Sequence, residues 1–143
     1  PEQAGWDWLS LQLSDHTELM LFRLRRKDGS IDPFSAATYV DRNGQSRHLS
    51  SREFALLPLG QLWTSPATGA SYPIRWQVSV SSLDLNLEIN TRLRQQEMTT
   101  RSRLSPNYWE GAIEVTGAGS GSQVTGVGYL EMTGYDRPVQ LGQ

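Results

Sequence analysis

The constraint that most narrows the fold of this chain is a run of strict two-residue alternation. Ile74, Trp76, Val78 and Val80 alternate with Arg75, Gln77 and Ser79, and Leu85, Leu87 and Ile89 alternate with Asp84, Asn86, Glu88 and Asn90. Side chains on a strand point to opposite faces in turn, so each run predicts one buried and one wet face. No stretch holds a helical period over three turns. Further β-patterned runs are WDWLSLQL (6–13), TELMLFRLRR (17–26), SAATYVDR (35–42), QSRHL (45–49), LWT (62–64), WEGAIEVT (109–116) and VTGVGYLEMTGY (124–135). Between them stand turn signals: Ser14-Asp15-His16, KDGS (27–30), Asn43-Gly44 and the Gly/Ser segment GAGSGSQ (117–123). Residues 91–107 are the least legible, with a weak strand at 96–100. Ser50-Ser51-Arg52-Glu53 has the pattern of a capping box, so one short helical turn is expected there.

Eight to nine sequential strands predict an all-β fold, an antiparallel barrel or sandwich with at most one short helix. The 143 residues suit a single domain, 1–143. Apolar content is only 37%, but five Trp, five Tyr and three Phe supply large areas to bury. Glycines inside the last strands, Gly111, Gly126 and Gly128, fit tight bends at barrel corners or close approach by a ligand.

Charge and composition remove several function classes. A net charge of −2 gives no nucleic-acid surface, and RLRRK (23–27) reads as a solvated strand end. With no cysteine there is no disulfide framework, thiolate metal site or cysteine nucleophile. His16 and His48 are too few to suggest a metal, so neither metal nor cofactor is expected. No apolar run approaches a transmembrane span. No serine stands in a G-x-S-x-G elbow, and GAGSG lacks the strand–helix context of a phosphate loop. The chain opens on Pro1, which reads as a processed product or part of a longer chain.

Together, GWDWLSLQL, ELMLFRLRRKDGSIDP, LWTSPATGASYPIRW, YWEGAIEVTG and GVGYLEMTGY resemble the AttH-like family, which is related to the carotenoid 1,2-hydratases (hydroxyneurosporene synthases). The resemblance runs from about Gly5 to Tyr135. It implies a lipocalin-like barrel, the second (C-terminal) of two such domains, with an N-terminal lipocalin-like domain as partner. It also implies a lipophilic ligand, isoprenoid, carotenoid-like or fatty, and a secreted or periplasmic location, with membrane association through the missing N-terminus.

Three functions compete: binding such a ligand, acid-catalysed hydration or hydrolysis of it, and a structural platform for the missing domain. Whether the chain is an enzyme is left open. Hydration of an alkene needs a carboxylic acid to protonate carbon and aromatic faces to stabilise the cation. Glu110 is the candidate acid and Tyr108 its orienting partner, both on one face of their strand, with Trp109 on the other. The resemblance sets them beside a Tyr-x-Asp pair in the hydratases, with Glu in place of Asp. Trp8, Trp76, Trp109 and Tyr129 are the candidate ligand contacts. A binding module leaves an interior cavity lined by Trp76, Val78, Leu85 and Leu87. Glu131 comes near Glu110 if the last two strands pair, and reads as solvent-facing. Asp7 falls on the face of Leu9, Leu11 and Leu13, either bonding a backbone group or serving as an acid. Trp6 and Trp8 give that strand a second apolar face.

Overall fold

The computed structural model describes residues 3–101 and 105–139. Twelve strands follow one another: β1 (Gln3–Leu13), β2 (Glu18–Arg26), β3 (Ala36–Val40), β4 (Ser46–Ser50), β5 (Ala55–Pro58), β6 (Leu62–Thr64), β7 (Ser71–Pro73), β8 (Trp76–Val80), β9 (Leu85–Asn90), β10 (Glu97–Met98), β11 (Tyr108–Gly119) and β12 (Ser122–Thr133). Among the described residues a single 3₁₀ turn, Ser81–Leu83, joins β8 to β9. Nine strands form one curled antiparallel sheet in the order β4-β3-β2-β1-β12-β11-β9-β8-β5. β10 adds to β11, and β6 pairs with β7 in a separate hairpin. This is the all-β, lipocalin-like barrel expected from the sequence, open along a seam where β4 and β5 form the two edges.

Turn chemistry sets the register. Asp15 accepts the Thr17 N–H and hydroxyl at 3.1 and 2.7 Å, closing the β1–β2 turn. Asp41 accepts the N–H groups of Asn43 and Gln45, both at 2.9 Å, around Gly44 at φ 80°. The β11–β12 connection is shorter than the sequence suggests. Gly119 pairs with Ser122, leaving a two-residue turn of Ser120 and Gly121 at φ 49° and 77°. Positive φ at both positions matches the twist of the flanking strands, so most of GAGSGSQ is strand.

The helical turn expected at residues 50–53 does not form. Glu53 accepts the Ser50 N–H and hydroxyl at 2.8 and 2.9 Å, but the bonds close only a turn. By Ala55 the chain is already committed to β8 through the Ala55–Ser79 pairing. The weak strand at 96–100 contracts to β10. Residues 102–104 of the illegible stretch lie outside the described residues.

The core lies on the concave face. Leu9, Leu11, Leu21, Val78, Ile89 and Leu130 are fully buried there with Trp76 and Trp109. Each aliphatic side chain removed from water contributes roughly 1.5–3 kcal/mol. Gly126 and Gly128 let β12 press against β1, because a Cβ at either would collide with the carbonyl of Gln12 or Ser10. Gly111 has a different cause. Between the short β10 and the start of β9 pairing, β11 lacks a strand on the edge away from β12, and the Gln96 side chain fills the gap. It accepts the Ala112 N–H at 3.0 Å and donates to Leu93 O at 2.8 Å and Thr91 Oγ1 at 3.0 Å. A Cβ on residue 111 would occupy the space of the Gln96 amide.

Candidate functional site

Halfway along β1 and β2 the usual in/out pattern inverts. At one end the inward residues are Leu9, Leu11, Leu19 and Leu21, and the outward ones are Ser10, Gln12, Glu18 and Met20. At the other end Asp7, Arg23 and Arg25 point inward, and Trp6, Trp8, Phe22 and Leu24 point outward. A strand that turns its apolar side chains outward loses their burial unless something covers them.

Those outward residues form a groove. It is shallow and open to solvent, offers about 640 Å³, and is lined by Gln3, Trp6, Trp8, Phe22, Leu24 and Glu131. Trp8 pairs with Phe22 on one side and Glu131 on the other. The Trp6 ring lies 6.4 Å from Phe22, tilted by 39°, and 6.3 Å from Tyr108, at 66°. The Trp6 indole N–H donates to Glu131 Oε1 at 2.5 Å, fixing that carboxylate at the groove rim.

Glu110 stands directly opposite Glu131 across the β11–β12 ladder. Facing side chains in such a ladder lie about 4.5–5.5 Å apart at Cβ. Two phenols flank the pair. Burial, then the charges of Glu131 and Glu110, raise the Tyr108 pKa. Burial raises that of Tyr129, helped by the charge of Glu110, its hydrogen bond and Glu131. Both phenols therefore stay protonated and able to donate.

A second polar cluster sits inside the barrel behind the groove. Asp7 is fully buried and saturated. Its Oδ1 accepts the Tyr135 hydroxyl at 2.7 Å, and its Oδ2 accepts Arg23 Nη2 and Nε at 2.7 and 2.9 Å and Arg25 Nε at 3.0 Å. Arg23 also donates to Leu56 O at 2.7 Å, and Arg25 to Thr133 O. The guanidiniums lie over aromatic rings, Arg23 4.9 Å from Trp76 and Arg25 4.2 Å from Tyr135. Tyr135 meets Tyr72 at 5.2 Å, and the Tyr72 hydroxyl donates to Glu97 at 3.0 Å. Burial, reinforced by Asp7, holds the Tyr135 pKa well above its ordinary value. Burial and the Glu97 hydrogen bond do the same for Tyr72. With every Asp7 oxygen occupied, the cluster acts as an internal clamp joining β1, β2, β5 and the end of β12.

The structure brings Tyr108, Glu110, Trp8 and Tyr129 together on the outer face, with Glu131 among them. It sets Trp76 and Trp109 on the opposite, inner face, fully buried, with their indole N–H groups on Pro73 O at 2.9 Å and Arg94 O at 2.7 Å. Val78, Leu85 and Leu87 belong to the same packed core. The solvent-facing reading of Glu131 gives way to a half-buried carboxylate bonded to Trp6. The basic run is also different from its expected role. Arg23 and Arg25 are inside, with 12% and 18% of their side chains exposed, because Asp7 meets them there. Phe22 and Leu24 are groove residues missed in the sequence, where Trp6 was read with Trp8 as part of a second apolar face. The available signal was parity: Leu19 and Leu21 share a face with Arg23 and Arg25, which leaves Phe22 and Leu24 outside. His16 lies in an exposed turn and His48 on the outer strand β4. Among the described residues no three His, Asp or Glu side chains gather as metal ligands would.

Comparison with known proteins places the chain in a family. The family described as AttH-like matches residues 1–135. A crystal structure described as an AttH from Nitrosomonas europaea superposes with a TM-score of 0.80 at 33% identity, covering 94% of this chain and 40% of the other. Kievitone hydratase from Nectria haematococca superposes at 0.76 with 19% identity, over 94% and 40%, which is a likeness of fold. Dehydratase asqC from Emericella nidulans is 27% identical over 133 residues, 90% of this chain and 38% of that protein. The chain thus spans about two fifths of the length of these relatives.

Proposed function

The chain belongs to the AttH-like family, and from that premise we propose that its outward groove binds a lipophilic small molecule and that Glu131 and Glu110 add water to it or remove water from it. The observation that carries this reading is the Trp6–Glu131 hydrogen bond at 2.5 Å, which holds a carboxylate at the edge of an aromatic groove with a second carboxylate opposite. The 27% identity to a protein named as a dehydratase supports the reaction class.

In the dehydrating direction, one carboxyl in its acid form protonates the leaving hydroxyl. The C–O bond breaks, water departs, and a tertiary cation is left against the rings of Trp6, Trp8 and Phe22. The other glutamate, as carboxylate, takes the proton from the adjacent carbon, and the C–H pair becomes the double bond. Hydration is the same path reversed. Tyr108 and Tyr129, kept protonated, orient the carboxylates.

A second reading keeps the groove and drops the chemistry: a binding module without turnover. The relatives' greater length supports a longer whole protein; that this chain is the C-terminal of two lipocalin-like domains, with an N-terminal domain contributing to the groove, is proposed from the family resemblance. A secreted or periplasmic location belongs to the same proposal and is checked by fractionation of the native host.

The test is oxygen exchange. The full-length protein is incubated with a tertiary terpenoid alcohol in H₂¹⁸O. Exchange of the alcohol oxygen, lost in Glu131→Gln and Glu110→Gln, supports the enzyme. Binding without exchange supports the module. If neither exchange nor binding is seen, the groove has no role in this function.

A further inference from the structure

We propose that the outward groove selects organic cations, quaternary or protonated amines carrying an apolar tail, over neutral or anionic molecules of the same size. The location rests on the groove reading above; the charge preference does not depend on any turnover.

Three aromatic rings, Trp6, Trp8 and Phe22, line one groove and are all only partly buried, with Tyr108 at its edge. Aromatic faces carry negative quadrupole density, and a cation within about 6 Å of a ring centroid is attracted to it. Of the six lining residues, Glu131 alone is charged. It is held in place by the Trp6 N–H, and Glu110 stands behind it with a second negative charge. The cations of β2 do not offset them. Arg23 and Arg25 turn inward to Asp7, Leu56 O and Thr133 O. Arg26, directly opposite the lining residue Gln3, has its charge answered by Asp32 at 3.0 Å. An anionic headgroup placed at Glu131 would meet repulsion without a free arginine to answer it. A trimethylammonium group placed there would meet the Glu131 carboxylate and the aromatic rings, with the charge of Glu110 across the ladder.

The inversion of β1 and β2 explains how the groove acquires this field. Putting Asp7 and the arginines inside removes positive charge from the outer face and brings three rings to it. The same field suits the tertiary cation of water loss, so an ammonium ion would also imitate that intermediate.

The experiment is isothermal titration of the full-length protein with decyltrimethylammonium, decanol and decanoate, each below its micellar concentration, at low and high salt. The ammonium ion is expected to bind roughly tenfold tighter than decanol, and decanoate weakest. The preference should shrink at high salt and in both Glu131→Gln and Glu110→Gln, while Trp8→Ala should weaken the ammonium and the alcohol together. Equal or tighter binding of decanol or decanoate overturns the inference and leaves the groove reading intact. An ammonium preference that survives all three substitutions puts the site elsewhere and overturns it as well. If none of the three ligands binds, as when a further domain or a second copy covers the groove, the inference and the groove reading fail together.

Discussion

Glu110 and Glu131 face each other across the β11–β12 ladder, two carboxylates at one cross-strand position. Like charges directly opposite destabilise a sheet, by roughly 0.2–1 kcal/mol per pair. Removing one charge should therefore stabilise the fold. Glu110→Gln is expected to raise the urea midpoint while abolishing water exchange. A fall in stability would mean that Glu110 serves the sheet instead of the groove.

Asp7 is the opposite case. It holds Arg23, Arg25 and Tyr135 from a fully buried position. Taking it away leaves two largely buried guanidiniums without a counter-charge, a loss of about 3–5 kcal/mol. Asp7→Ala should lower the urea midpoint accordingly with the slope of the transition preserved. Tyr135→Phe removes one hydrogen bond to a charged group, about 1.5–3 kcal/mol. Equal stability of Asp7→Ala and the parent chain would dispose of the clamp.

The buried phenols predict an alkaline limit. Burial and a neighbouring carboxylate raise the pKa of Tyr72 and of Tyr135 in the folded chain above the ordinary tyrosine value. Above about pH 10 the unfolded chain releases these protons and the folded chain keeps them. The unfolded state then binds fewer protons, so stability falls with rising pH. The contribution is complete below pH 10 and is lost as pH climbs toward the raised values. Tyrosinate absorbance should lag in the native protein and catch up on unfolding, and Tyr72→Phe and Tyr135→Phe should each remove part of the lag.

Gln96 and Gly111 form a lock whose two halves should not add. Gly111→Ala expels the Gln96 amide from β11, and Gln96→Ala removes it. Each single change breaks the same hydrogen bonds, so the double variant should cost far less than the sum of the two. Additive losses in thermal unfolding would show that the residues act separately.

Much of the fold was legible because alternation and turn chemistry agree along most of the chain. Ile74 to Ile89 announces its buried face, and Asn43-Gly44 its hairpin. What was hidden depends on long-range partners. The short β10 and the Gln96 patch exist only because β11 outruns β9, which no local pattern records. The candidate site was half legible. Tyr108 and Glu110 share a face by parity alone, and Trp8 and Tyr129 join them once β1 pairs with β12. Trp76 and Trp109 are aromatic for the core. The groove itself was obscured by RLRRK, whose arginines look solvated until Asp7, 16 and 18 residues earlier, is found waiting inside.

The central claim is that ligands meet the outer groove and not the barrel interior. The most direct measurement follows the assigned indole N–H signals of the five tryptophans by heteronuclear NMR as farnesol, a neutral isoprenoid alcohol, is added to the full-length protein. The account predicts saturable shifts of Trp6 and Trp8, with Trp76 and Trp109 unmoved. Shifts confined to Trp76 and Trp109, or no shift at all, would contradict it.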